Sequence, residues 1–229
     1  MGGIDIDAVQ SYLDDNFLTL AQLAERSAVA PERVLALVDA QCVPPHSYEV
    51  RGVAIFASTF GEYPASLPAR RYYHPSLVAW VKRAEALARR HPLAEVARRV
   101  REDFEAVFEE ALAGREPPWP GGVDHAWSYL MDGTWGLCLE AISAEALLQK
   151  EFARQTIARL VSTEPDHALS ETARTALVEA VEAYDGVTAA FAPHERAESS
   201  RRREIEAAIE KYGLAPALGA GSEPLPSAS

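Results

Sequence analysis

Sulfur is scarce in this 229-residue chain, which has only two cysteines and two methionines. The thiols, Cys42 and Cys138, stand far apart, and no CxxC or Cys/His spacing of a zinc site occurs. That pattern gives no sequence-encoded zinc and suits a reducing, cytoplasmic compartment. Positive charge is also short. Against 34 acidic residues stand 22 basic ones, for a net charge of −12. A surface so acidic repels phosphate backbones, which disfavours general nucleic-acid or anionic-membrane binding and leaves small molecules or proteins as partners. Lysine occurs only at Lys82, Lys150 and Lys211. No run of 18 apolar residues exists to span a membrane. The start, "MGGIDIDAVQ", lacks the basic and apolar regions of a signal peptide. GxGxxG, Walker, GxSxG and HExxH patterns are absent, so nucleotide, α/β-hydrolase and zincin chemistry have no motif to rest on.

What is present is mostly helical periodicity. Ile6, Val9, Tyr12 and Leu13 share a face over 5–16. Thr19 and Gln22 have the spacing of a capping box, and Pro31 suits the first turn of the next helix. The proline-rich stretch 42–75 forbids a long helix, and its "YEV" and "VAIFAS" runs predict a short hairpin. Val96, Val100, Phe104, Val107, Phe108 and Leu112 line one face of a strong amphipathic helix ending at Gly114. Ser143 caps a helix to about Val161, Ser170 caps another to Phe191, and a last one follows. The fold expected is mainly α: a winged-helix-like module over 1–60, a helical bundle over 61–212 with at most a short β-hairpin before it, and a disordered tail over 213–229.

Residues 18–43 resemble the helix-turn-helix that opens MerR-type regulators, a likeness covering roughly the first 60 residues. It implies a winged helical module. DNA reading needs side chains that reach phosphates and base edges. Here Arg33 and Gln41 are set against Glu32 and Asp39, so a structural or interaction module is the preferred reading.

Six histidines occur. His91 and His167 sit before or inside loops and read as solvated or capping residues, and His46, in a proline-rich loop, has no evident role. His74, His125 and His194 adjoin aromatics or turns. "RRYYHPSLVAW" holds His74. "DHAWSYLMDGTWGLC" holds His125 with Trp127, Asp132, Thr134 and Trp135. Such clusters supply the apolar walls and few polar groups of a small-molecule pocket. The same residues also serve as ordinary core aromatics and an Asp-Gly turn. In "FAPHERAESSRRREIEA", helical arithmetic puts His194 and Arg201 on the stripe of Ile205 and Ile209, while Arg202 and Arg203 face solvent. An inward arginine needs an acidic partner or an anionic ligand. Glu195 in the first turn is accounted for by the helix dipole. Whether His74, His125 and His194 hold a metal, with Glu62, Asp132 or Glu195 as a fourth ligand, is left open, as is any cofactor.

"YYHP" (72–75), "DGTWGLC" (132–138) and "FAPHERAESSR" (191–201), in that order, resemble an uncharacterised bacterial domain-of-unknown-function family associated with natural-product biosynthesis. The likeness covers about residues 10–210. It implies a place in specialised metabolism and carries no reaction. The expected function is therefore a cytoplasmic small-molecule-binding protein or tailoring enzyme, with His194, His74 and His125 as catalytic candidates. Arg201, Trp127, Asp132, Thr134, Trp135 and Glu195 are the binding candidates. The alternatives are a MerR-like regulator or its derivative without DNA binding, and a non-catalytic partner of a biosynthetic assembly.

Overall fold

A computed structural model describes residues 5–51, 55–58, 61–64, 69–163 and 169–214. His167 and the expected disordered tail from residue 215 onward lie outside the described residues.

Helix α1 (Ile6–Asn16) starts where the Asp5 carboxylate accepts from the Ala8 amide, and it buries Val9, Tyr12 and Leu13. Strand β1 (Leu18–Thr19) leads into α2 (Leu20–Ser27), which carries the Thr19–Gln22 capping box. Ala28 then takes a left-handed conformation and turns the chain into α3 (Pro31–Asp39). The expectation of at most one hairpin is corrected at this point. Residues 48–73 form β2 (Tyr48–Arg51), β3 (Ile55–Ser58), β4 (Gly61–Pro64) and β5 (Arg70–Tyr73). With β1 they make a five-stranded antiparallel sheet in the order β1-β5-β2-β3-β4. The hairpin of β2 and β3 was legible in its β-prone residues. Strand β5 was not, because its side chains run exposed, exposed, buried, buried rather than alternating. It is held by pairing on both edges, with Tyr73 opposite Leu18 and Tyr72 opposite Tyr48.

The remainder is helical: α4 (Leu77–Ala88), α5 (Leu93–Leu112), α6 (Gly122–Met131), a 3-10 turn at Thr134–Leu137, α7 (Ala144–Thr163) and α8 (Glu171–Asp185). Val96, Val100, Phe104, Phe108 and Leu112 are buried on one face of α5. Phe108 has no exposed surface, and burying such a side chain is worth about 2–3 kcal/mol. Leu23, Val34 and Leu37 of the N-terminal segment share a single hydrophobic cluster with Val81, Val96 and Phe108. A second cluster packs α1 against the sheet, and a third joins α7, α8 and the C-terminal segment.

Helix α8 was expected to reach Phe191, and it stops at Asp185 before Gly186. The chain beyond leaves the helix because it pairs elsewhere. Leu139 and Thr188 form an antiparallel bridge, Glu140 donates its amide to the Val187 carbonyl, and Ala189 donates to the Cys138 carbonyl. The last segment is likewise not one regular helix. It runs as a 3-10 turn at Arg196–Glu198, a π-helical turn at Arg201–Glu206 and α9 (Ala207–Tyr212). Gly213 then turns left-handed and Leu214 is buried. No described helix is long and apolar enough to cross a membrane.

Candidate functional site

The bridge to residues 138–140 directs the chain after α8 across the sheet, where the Tyr12 hydroxyl donates to the Ala190 carbonyl at 2.7 Å. This sets Glu195 against β2 and β3, with no exposed surface. A buried carboxyl needs its oxygens satisfied. The Tyr48 hydroxyl donates to Oε2 at 2.7 Å, and the Ser58 hydroxyl donates to Oε1. His194 lies alongside, its Nε2 3.5 Å from Oε1 and its side chain 2% exposed. Phe17 meets the Tyr48 ring edge-on at 5.0 Å, which closes the apolar side. Burial, followed by the adjacent Glu195 charge, pushes the Tyr48 phenol well above its ordinary range, so Tyr48 stays a donor near neutral pH. Burial likewise pushes Tyr12 up to about 12.

The dipole role expected for Glu195 is corrected accordingly. No helix starts at Pro193, and Glu195 precedes only a three-residue 3-10 turn. It joins the C-terminal segment to the N-terminal sheet through two hydroxyls. Nothing in the local pattern around 195 announces this, because its partners lie 147 and 137 residues away. Chemically the cluster has an acceptor, two hydroxyls and an imidazole. A substrate reaches the carboxylate only if Tyr48 or Ser58 moves aside.

His74 sits between β5 and α4 with both ring nitrogens engaged. Nε2 lies 3.0 Å from the Leu139 carbonyl, and Nδ1 lies 3.1 Å from the Ser76 amide and 2.7 Å from its hydroxyl. The carbonyl can only accept, so Nε2 carries the proton and Nδ1 accepts from the amide. Burial lowers its pKa to about 4, against the opposing effect of the Leu139 hydrogen bond. The unfolded chain then binds a proton between pH 6.5 and 4 that the native chain refuses, so stability rises with pH across that window. Going from pH 7 to pH 5 is expected to cost about 2 kcal/mol through this residue. Urea melts at the two values check it, and His74→Gln should remove this part of the slope.

His125 is elsewhere, on α6, stacked on Tyr129 at 4.5 Å and 5.7 Å from Trp119. Trp135 also touches Trp119 and Tyr129, but it is buried and donates its indole N–H to the Ala126 carbonyl at 2.9 Å. Trp127 packs on Phe104, with the Arg101 guanidinium 6.0 Å from its ring. Asp132 is exposed, and its Oδ1 accepts from the Thr134 amide at 2.9 Å, the geometry of an Asx turn. Arg201, 25% exposed, pairs with Asp185, and its Nε lies 4.0 Å from Glu206. Of the two partners an inward arginine admits, the structure supplies the acid. Apart from His74, the predicted residues fall into three places: the Glu195–His194 cluster, α6 with the turn after it (His125, Trp127, Asp132, Thr134 and Trp135), and the Arg201–Asp185 pair. His74 stands apart, held at both ring nitrogens. Among the described residues, no group of three or more His, Cys, Asp or Glu is arranged to hold a metal.

Among the described residues, cavities open on the helical part, and two of them stand out. One, of about 530 Å³, lies between α5, α7 and α8. Leu148, Ala153 and Ala180 are buried in its floor, and Arg115, Glu145, Gln149 and Glu179 are at its rim. The Arg115 guanidinium lies 3.8 Å from the centre of the Phe152 ring and donates to the Leu112 carbonyl. Among the described residues, neither Glu145 nor Glu179 forms an ion pair. The second cavity, of about 260 Å³, is walled by Trp80, Val100, Phe104 and Ile142 beneath the Arg83–Asp103 ion pair. None of the nine site candidates lines either cavity. The rim residues of the first were missed because single exposed Glu and Gln residues on helices, and an Arg just past a helix end, look like solvated positions. Only the approach of three helices gathers them.

The profile of DUF6058, described as a family of unknown function, matches residues 79–213. The match covers more than half of the chain, which belongs to that family, and all of both cavities lies within it. No curated protein and no solved structure matches the chain.

Proposed function

We propose that this member of the DUF6058 family is a small-molecule-binding protein whose ligand occupies the groove between α5, α7 and α8. The observation that carries the reading is the composition of that groove. A floor of small and apolar side chains is overlooked by two carboxylates, Glu145 and Glu179, that have no ion-pair partner among the described residues. Arg115, the one base in the lining, is already laid on Phe152 and hydrogen-bonded to backbone carbonyls. The balance favours a ligand with an apolar body and a cationic amine. Binding is preferred over tailoring catalysis because Glu195 and His194 are closed off by the sheet and His74 is engaged on both nitrogens.

The N-terminal segment reads as a winged-helix-like module. Its element order, α1-β1-α2-α3-β2-β3-β4-β5, together with the strand neighbours β1-β5-β2, supports that reading. As a DNA reader it is poorly equipped. The exposed residues of α3 include Glu32 and Asp39, and Arg33 is drawn to Glu85 of α4 at 2.8 Å. A regulator-derived module that no longer reads DNA fits these charges.

The test uses 4-phenylbutylamine and 4-phenylbutyrate as matched probes on the full chain, followed by calorimetry and thermal melting. The amine should bind and raise Tm by a few degrees, and the carboxylate should not. Glu179→Gln should weaken the amine about tenfold, and Ala176→Trp, which fills the groove, should abolish binding. Equal responses to both probes, or binding undiminished in Ala176→Trp, would sink the reading.

A further inference from the structure

Outside both cavities lies a buried pair. Lys150 of α7 is 4% exposed and Cys138, directly after the 3-10 turn, is 6% exposed. Lys150 Nζ lies 3.0 Å from Cys138 Sγ. A buried amine is ordinarily held by a carboxylate, since desolvating it unpaired is costly. The nearest one here, Glu151, is 3.5 Å away and is engaged by Arg154 at 2.9 Å. Sulfur is thus the closest polar atom to this nitrogen. The Trp135 ring, 5.3 Å from Nζ, covers the amine on another side.

Held this way, the two side chains are a nucleophilic sulfur and an amine with a gap that one oxygen atom would fill. We propose that Cys138 and Lys150 form an oxidation-dependent N–O–S cross-link, which makes the pair a redox modification site. The oxidant class is a peroxide. The thiol first attacks hydrogen peroxide: an S–O bond forms, the O–O bond breaks, and water leaves behind a sulfenic acid. A second peroxide then joins that oxygen to the lysine nitrogen, breaking one O–H and one N–H bond and leaving as two waters. In sum, thiol, amine and two peroxides give the bridge and three waters. Sulfur and nitrogen each lose two electrons, and the two O–O bonds accept the four. An ammonium's additional proton goes to solvent.

The placement gives the bridge a structural consequence. Cys138 and Lys150 are twelve residues apart in sequence. Cross-linking them would fix the segment that carries the Leu139–Thr188 bridge and the His74 acceptor to α7. Cys42 is an internal comparison. It is also buried, its thiol faces the Leu93 carbonyl at 3.5 Å, and burial pushes its pKa up.

The test is peptide mapping by mass spectrometry of the full chain, before and after millimolar hydrogen peroxide and again after excess dithiothreitol. The expected product joins the Cys138 and Lys150 peptides with a mass about 14 Da above their sum, reverts with dithiothreitol and forms equally in Cys42→Ser. Cys138→Ser and Lys150→Arg should each abolish it, and the bridged wild type should melt a few degrees higher. Oxygen added to Cys138 with the peptides unjoined would overturn the proposal. So would a joined product about 2 Da below the sum, which is a direct S–N bond. The outcome is independent of amine binding in the groove.

Discussion

Replacing Glu195 by alanine is expected to lower unfolding stability by roughly 2–5 kcal/mol, measured by urea denaturation at pH 7. The magnitude follows from what the change leaves behind. Tyr48 is fully buried, Ser58 is part of the same closed contact, and both hydroxyls donate to the Glu195 carboxylate. Each loses the carboxylate as an acceptor, and a hydrogen bond to a charged group is worth about 1.5–3 kcal/mol. The cavity adds to this. Glu195→Gln keeps one carbonyl oxygen to accept from one hydroxyl, so its loss should be about half as large. A glutamate that merely complements a helix dipole would give only about 0.3–1 kcal/mol. The two accounts of this residue therefore differ by more than the error of a denaturant melt. Because the contact ties the C-terminal segment to the sheet, amides of β2 and β3 should also lose exchange protection in the alanine variant.

Gly133→Ala is expected to cost roughly 2–4 kcal/mol by the same measurement. Gly133 has φ of 87°, which an L side chain rarely adopts, and a Cβ there would meet the backbone oxygen of His46 at 2.6 Å. A main-chain atom cannot swing aside, so the strain of the left-handed backbone and the clash add. Gly114→Ala is the control. It shares the positive φ, at 78°, yet has nothing within 4 Å of the new carbon. Its loss should stay near 1 kcal/mol, the backbone part alone. Gly136 adds a third case, since its Cβ would run into the buried Ser47 hydroxyl. "DGTWGLC" is thus accounted for by close approach. Two glycines let the 3-10 turn lie against the loop at 45–47, Asp132 caps the turn, and Trp135 fills the space beneath it.

The parts of this molecule that were legible in sequence are the ones whose causes are local. The capping box at Thr19, Pro31 at the start of α3, the apolar face of α5 and the Ser170 cap all sit within a turn or two of the residues that produce them. What escaped depends on distant pairing. Strand β5 has no alternation of its own and exists because β1 and β2 flank it. Helix α8 stops early because residues 187–189 find partners at 138–140. The final segment kept the expected inward Ile205 and exposed Arg202 and Arg203, but its regular period broke into 3-10 and π turns. Those turns bring Glu195, and not only His194 and Arg201, to the interior. The groove was illegible for the same reason, since Arg115 lies just beyond α5, while Glu145 and Glu179 lie on α7 and α8.

The central claim is that Glu195 acts as a joint between the DUF6058 segment and the N-terminal sheet, its carboxylate accepting from the Tyr48 and Ser58 hydroxyls. A double-mutant cycle between Glu195→Gln and Tyr48→Phe, read by urea unfolding, tests it most directly. The account predicts a coupling of about 1 kcal/mol or more, as expected for partners in one buried network. Losses that add within about 0.3 kcal/mol would contradict it, because independent sites behave that way.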